Sequence, residues 1–276
     1  YTTLFRSLQS VDSSIKLLLS DNPAEIQMAV QSLNEFNTIR QTLCSDIFAE
    51  ADEMWRKSGM KEPAIVLYSP DWHIGIIGIV ASKFVEKYNK PAFLMTYSNE
   101  TNQFRCSSRG VKGLNIFDIL DENKDLFDGF GGHELAGGCS FSQDKASFED
   151  VKSAINNTVK AMLNGQELKP FVEVDMLLEP SDVTLQLVED LDIFEPFGAS
   201  NPNPVFALEN LTVKEKKLMG ADKSHLKLIC EAGGHEFTCL WWGVGDLSLD
   251  IGSKLDILFH PNKNEFNGNT YLQLII

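Results

Sequence analysis

The stretch Ala64-Ile65-Val66-Leu67-Tyr68-Ser69-Pro70-Asp71-Trp72-His73-Ile74-Gly75-Ile76-Ile77-Gly78-Ile79-Val80-Ala81-Ser82 decides the fold class. Its first five residues carry the short apolar pattern of a buried strand. Ser69-Pro70-Asp71 is a turn. An apolar, glycine-containing helix follows over residues 74–88, and Pro91 introduces a second buried strand, Ala92-Phe93-Leu94-Met95-Thr96. Further on, residues 104–108 read as a third strand. Residues 115–127 read as a helix with Ile116, Ile119, Leu120 and Leu126 turned inward. Residues 129–138 read as a glycine-rich loop, 139–141 as a strand and 147–163 as a closing helix. Alternating strands and helices predict an α/β sandwich over residues 61–165.

Upstream, residues 1–60 read as helical. Ile15, Leu18 and Leu19 keep helical spacing up to a break at Ser20-Asp21-Asn22-Pro23, where Asn22 is suited to cap a helix that starts on Pro23. Apolar residues then recur every three or four positions from Ile26 to Met54. They predict one helix of about 35 residues, roughly 50 Å long at 1.5 Å per residue. Such a helix reads as a connector, here to an N-terminal domain that the chain lacks. Downstream, residues 166–276 change character. After a helix near 182–192 come short strands at 204–209, 212–218, 226–230, 237–242, 254–260 and 271–276, separated by turn residues. This spacing predicts a small β-barrel of the OB kind. The fold class expected is therefore α/β plus β: a long helix, an α/β domain, then a barrel.

Composition sets bounds on function. Two domains suit 276 residues, and 43% hydrophobic residues suffice for two cores. The apolar run 76–81 is far shorter than the roughly 18 residues of a membrane span. The start shows no basic segment followed by an apolar one, so no leader and no membrane partner are expected. Five cysteines, odd in number and without C-x-x-C spacing, argue against a disulfide framework or a zinc site. They read as small buried hydrophobes in a reducing, cytoplasmic setting. The net charge of −15 speaks against non-specific DNA binding over the whole surface. Residues 166–276 carry most of that excess, with 8 basic and 18 acidic side chains. A local channel lined by a few Arg, Lys and His groups remains compatible with it.

Three clusters carry chemistry. Phe130-Gly131-Gly132-His133-Glu134-Leu135-Ala136-Gly137-Gly138 crowds four glycines around a histidine. Its backbone suits an anion-binding nest with His133 as a donor, and equally a plain glycine turn with a satisfied histidine. Ser107-Ser108-Arg109-Gly110 ends a strand with an arginine flanked by hydroxyls, which suits a phosphate or a surface salt bridge. Trp72 and His73 stand at the start of the 74–88 helix, near its positive end or simply packed there.

Taken together, Trp72-His73-x-Gly75-x-x-Gly78, the Ser107-Ser108-Arg109 segment and Gly131-Gly132-His133-x-x-Ala136-x-Gly138 resemble, in order and spacing, the DHHA1 domain of the DHH phosphoesterase superfamily. Residues 195–206 (Glu-Pro-Phe-Gly-Ala-Ser-Asn-Pro-Asn-Pro-Val-Phe), His225-Leu226-Lys227-Leu228 and Asn264-Glu265-Phe266-Asn267-Gly268 resemble the OB domain of RecJ-type exonucleases. Leu33-Asn34-x-x-Asn37-x-x-Arg40-Gln41 resembles the interdomain helix of the same family.

The resemblance implies a single-stranded-DNA-specific 5′→3′ exonuclease of DNA repair and recombination, of which this chain is the C-terminal, substrate-binding portion. Its metals, Mn²⁺ or Mg²⁺, would be held by an N-terminal DHH domain with an Asp-His-His triplet. This sequence contains no such triplet, so no metal ligand and no catalytic residue is assigned, and the chain alone is expected to be inactive. Phosphate binding carries over to Arg109, His133, Gly131 and Gly132, with Ser107 and Ser108 in support and His73 and Trp72 facing the same cleft. The family often has serine after the arginine where this chain has Gly110, which removes one hydroxyl. In the barrel, Trp241, Trp242, Phe266 and Tyr271 are the residues that could stack on bases. Because Trp241 and Trp242 are adjacent on a strand, one must point inward and one outward. The expected partners are single-stranded DNA and a single-strand-binding protein or other repair proteins. Two other readings stand beside this one: a non-catalytic nucleic-acid- or protein-binding adaptor, and one half of a DHH-family oligonucleotide phosphodiesterase. The barrel counts against the second, and against an alanyl-tRNA synthetase-like segment.

Overall fold

The structure, a computed structural model, describes residues 11–198 and 200–276. The first ten residues of the expected helical segment, and Ala199 within the 195–206 signature, lie outside the described residues. The chain divides into two compact units, Tyr1–Pro170 and Phe171–Ile276.

The first unit begins with α1 (Asp12–Leu19) and α2 (Pro23–Lys57), a single helix of 35 residues. The cap anticipated at the break is present: Asn22 Oδ1 accepts from Ala24 N at 3.0 Å, with Pro23 in the first helical turn. Apart from Ala29, the buried residues of α2 lie in its C-terminal half. Cys44, Ile47, Ala51 and Trp55 pack with Ile76, Ile77, Val80 and Phe84 of α3 (Ile74–Tyr88). Asp52 reinforces this seam, taking hydrogen bonds from Lys87 and Tyr88 and pairing with Arg56. Burial by itself would raise the Asp52 pKa, but those hydrogen bonds and the Lys87 and Arg56 charges hold it below the usual carboxylate range.

The sheet holds β1 (Ile65–Tyr68), β2 (Ala92–Ser98), β3 (Gln103–Arg109), β4 (Gly129–His133) and β5 (Ala136–Ser142). Their order is β1-β2-β3-β5-β4. β1 and β2 are parallel, with α3 as the crossover, and the other pairs are antiparallel. The strand, helix, strand reading of residues 64–96 thus holds. One sheet face is covered by α4 (Ile116–Glu122) and α5 (Phe148–Leu163), which pack on Val66, Phe93, Phe104 and Phe141. On the other face, α2 and α3 cover the β1 and β2 residues Ile65, Leu67, Ala92 and Leu94.

Two local expectations change. The helix expected over 115–127 ends at Glu122 and resumes as a 3₁₀ turn at Lys124–Leu126. Asn123 interrupts it: its Nδ2 donates to the Ile119 carbonyl at 2.7 Å and to Thr158 Oγ1 at 3.0 Å, a side-chain bond that competes with the helix ladder. The glycine-rich segment is no loop. Residues 129–142 form the β4–β5 hairpin, in which Gly131 faces Gly138 and Gly132 faces Gly137. Glycine carries no alternating hydrophobic signal, so the strand is invisible to periodicity. The hairpin is held from outside its own ladder, because Gly110 N donates to Leu135 O and Ile116 N to Glu134 O, each at 2.8 Å.

In the second unit, β6 (Met176–Leu177) and α6 (Leu185–Leu191) precede a barrel. Its strands are β7 (Phe206–Met219), β8 (His225–Ala232), β9 (His235–Trp241), β10 (Lys254–Phe266) and β11 (Asn269–Ile275). The order β10-β11-β9-β8-β7 closes through a β10–β7 pairing, and β9 and β11 run parallel. This is the five-stranded closed barrel of the OB kind. The strands expected at 204–209 and 212–218 are one long strand, β7, whose ladder shifts register between Val213 and Glu215. β7 pairs with β10 through its first half and with β8 through its second, so one strand serves both sides of the barrel. The turns fit their sequences: Gly233-Gly234 and Asn267-Gly268 all have positive φ, as two-residue hairpins of the type I′ kind require. Leu208, Leu211, Val213, Leu228, Phe259 and Leu274 fill the interior.

Candidate nucleic-acid interface

The β3, β5 and β4 strands put three cross-strand rows on the sheet face that α3 leaves open. Register aligns Arg109, Ala136 and His133 in the first row, Ser107, Gly138 and Gly131 in the second, and Arg105, Ser140 and Gly129 in the third. Paired residues in a sheet point to the same side, so these share one face. Neighbouring strands lie about 4.8 Å apart, which sets Arg109 and His133 about 10 Å from each other across the small Ala136. The middle row is a floor almost without side chains. A Cβ built on Gly131 would meet nothing within 4 Å, so that part of the floor is open. β4 is the sheet edge, where backbone N–H groups not paired with β5 remain available as donors.

Arg109 is half-buried against α3. A Cβ on Gly78 would lie 2.8 Å from Ser107 Oγ and 3.2 Å from Arg109 Nη2, so this helix glycine makes the room that both side chains use. Arg109 Nη1 donates to the Ser108 carbonyl at 2.8 Å. Among the described residues no carboxylate pairs with it. Burial pushes its pKa down, yet an arginine keeps its proton in a protein. A partly desolvated cation without a counter-ion is a favourable place for an anion, and its planar fork suits a phosphate. His133 is exposed at the end of β4.

Other residues singled out in the sequence are placed differently. Ser108 lies on the opposite face, fully buried, and its Oγ has no hydrogen-bond partner. Gly132 and Gly137 also face away. A Cβ on Gly137 would meet Ile116 at 2.8 Å and Leu120 at 3.0 Å, and one on Gly132 would meet the backbone of Ala136 and Gly137 at 2.5 Å. These glycines let α4 and the hairpin backbone close up beneath the floor. Trp72 does not face the cleft. It is 3% exposed in the α2–α3 core, and its Nε1 donates to Glu50 at 3.0 Å. His73 caps α3, its Nδ1 accepting from Gly75 N at 3.1 Å, which leaves the proton of a neutral ring on the exposed Nε2. The Gly110 that stands in place of the family's serine has a local cause: a Cβ there would lie 2.8 Å from Ile116 and 3.1 Å from the Glu134 carbonyl.

Arg105 and Ser140 are the residues that motif reading passed over. The signal that finds them is period two, since 105, 107 and 109 alternate onto one side of β3.

In the barrel, Trp241 packs against the core while Trp242 is 53% exposed, its ring edge-on to His225 at 5.0 Å. Phe266 and Tyr271 are exposed at the end of the β10–β11 hairpin. Register pairs Asn264 with Tyr271 and Phe266 with Asn269, which puts both rings on one face with two asparagines. Among the described residues no group of three or more His, Cys, Asp or Glu is placed to hold a metal, and no helix is long and apolar enough to cross a membrane. All five cysteines are buried, as small hydrophobes would be.

Residues 61–161 match the family model of the DHHA1 domain, and residues 174–276 that of the RecJ OB domain. The single-stranded-DNA-specific exonuclease RecJ of Bacillus subtilis is 29% identical over 98% of this chain and 34% of its own length. The Escherichia coli enzyme of the same name is 28% identical over 98% of this chain and 48% of its own. Among solved structures, RecJ from Thermus thermophilus in complex with Mn²⁺ superposes with a TM-score of 0.78 at 25% identity, covering 99% of this chain and 39% of that one. The chain thus spans a third to a half of the length of these relatives.

Proposed function

Because the chain carries a DHHA1 domain followed by a RecJ OB domain, we propose that it is the substrate-binding portion of a single-stranded-DNA-specific 5′→3′ exonuclease. It grips the DNA backbone while residues beyond this chain perform the metal-dependent hydrolysis. The observation that carries this reading is the half-buried Arg109 guanidinium, without a carboxylate partner among the described residues, beside a glycine floor. Arg109 takes a phosphate through its fork, Ser107 adds a hydroxyl, and His133 donates from the far side of the row. Gly131 and Gly138 let the sugar-phosphate backbone approach the sheet. Ser108, Gly132, Trp72 and His73 act from behind, by holding the floor, the α2–α3 seam and the start of α3. Among the described residues no group of three or more His, Cys, Asp or Glu side chains is placed to hold Mn²⁺ or Mg²⁺.

The barrel contributes stacking surfaces at Trp242 and at Phe266 with Tyr271, worth about 1–3 kcal/mol per base. Its acidic remainder suits contact with a basic partner protein better than with more DNA.

The test is binding of a single-stranded oligonucleotide by this chain at low and moderate salt, beside the double variant Arg109→Ala, His133→Ala. The expected outcome is salt-sensitive binding that the double variant loses. Equal binding by both proteins would overturn the assignment of this face.

A further inference from the structure

Arg105 has no role in the site as assigned so far. It is exposed on the same side of β3 as Ser107 and Arg109. At about 3.3 Å per residue its Cα lies roughly 13 Å from that of Arg109. Among the described residues it makes no ion pair and no side-chain hydrogen bond. It opens onto a groove of about 300 Å³ that Ser140, Gly129 and Gly138 of the sheet also line, with Ile74 from the first turn of α3 on the other bank. Beyond Arg105 the free positive charge ends. Asp128 Oδ2 accepts from Gln103 Nε2 at 3.0 Å and from Ser142 N at 2.7 Å, and its Oδ1 pairs with Lys145 at 3.8 Å, so the next row holds a cation already matched by a carboxylate. A polyanion laid along β3 therefore meets two unpaired arginines with hydroxyls beside them, and then an ion pair that is already closed.

We infer that Arg105 and Ser140 form a second phosphate seat, which holds a different phosphodiester of the same single strand from the one at Arg109 and His133. The inference rests on the reading given under Proposed function and adds a register to it. The strand lies along β3, and the two seats stand at Arg109 and Arg105 on one sheet face. Ser140 faces Arg105 directly across the ladder, so its hydroxyl can share the phosphate that the guanidinium attracts. The glycine floor between the seats leaves the intervening nucleotide unobstructed.

The experiment measures the affinity of the 276-residue chain for an oligothymidylate over a range of salt concentrations, with Arg105→Gln, Arg105→Lys and Arg109→Gln in parallel. Removing one phosphate contact to a single strand flattens the plot of log affinity against log salt by about 0.7. Arg105→Gln should show this and weaken binding at low salt, losing roughly threefold less affinity than the parent between about 50 and 200 mM salt. Arg105→Lys, which keeps the charge, should restore the slope. A slope unchanged in Arg105→Gln but reduced in Arg109→Gln would overturn the second seat and leave the first intact. Slopes unchanged in both variants would overturn the assignment of the face and the inference with it. Thermal melting of Arg105→Gln should match the parent, because an exposed, unpaired side chain is replaced.

Discussion

Two neighbouring residues on β3 show how closely an open surface and a sealed core are interleaved. Ser107 and Ser108 are chemically identical neighbours, yet one faces the open groove and the other is sealed with its hydroxyl unpaired. A buried hydroxyl without a partner costs about 1–3 kcal/mol. Ser108→Ala should therefore raise stability by about 1 kcal/mol, read as a higher denaturation midpoint, and leave DNA affinity unchanged. A loss of affinity would place Ser108 in the site after all. The glycines make a parallel contrast. Gly137→Ala drives a methyl into Ile116, Leu120 and the Gly131 carbonyl and should destabilise by about 1–3 kcal/mol. Gly131→Ala meets open space and should leave stability within about 0.5 kcal/mol of the parent. Sequence reading could name both glycines as special. It could not tell them apart, because which side of a strand a glycine faces is set by register, and the strand itself is hidden by having no side chains to alternate.

At the scale of elements, the seam between α2 and α3 sustains the geometry of the site, since α3 carries Gly78 against Arg109. Two changes probe it. Trp72→Phe keeps a ring in the core but removes the bond to Glu50, and should cost about 1 kcal/mol while DNA binding persists at neutral pH. That combination of outcomes is the signature of a seam residue, and a selective loss of binding would return Trp72 to the cleft. Asp52 makes the seam pH-dependent. Its folded pKa lies below the unfolded value of about 3.9, so its contribution is fully present above that value and is lost as pH falls through the folded one. The stability difference between the parent and Asp52→Asn should shrink as pH drops below about 4, and a constant difference would show that the carboxylate charge plays no part. Much of this level was legible in advance. The Asn22-Pro23 cap, the long helix and the 64–96 unit all follow from spacing and turn chemistry. What escaped was the merging of two strands into β7, because neither Asn210 nor the register shift near Val213 carries a sequence mark different from that of a turn.

Across the whole molecule, each unit has a core of its own, and residues 165–175 between those cores are mostly exposed and outside any helix or strand. A Glu-specific protease should cut first at Glu167 or Glu173 and yield two fragments that each keep cooperative thermal unfolding. Initial cleavage within α2 or the barrel would contradict this division. The acidic excess of residues 166–276 and the small cationic face on the first unit show how the proposed DNA binding is compatible with a net charge of −15. On that reading the charge attraction is concentrated on a strip of β3 a few residues long. That strip has a mechanical meaning. A floor made of Gly129, Gly131 and Gly138 offers no pockets shaped to bases and no ridges to climb. On the proposed reading, a strand held there would be indifferent to its own sequence, and the barrier to moving along by one nucleotide would be little more than the release and recapture of charges. Such a track would have grip without teeth, which is what a polymer must find if it is to be fed forward repeatedly without letting go.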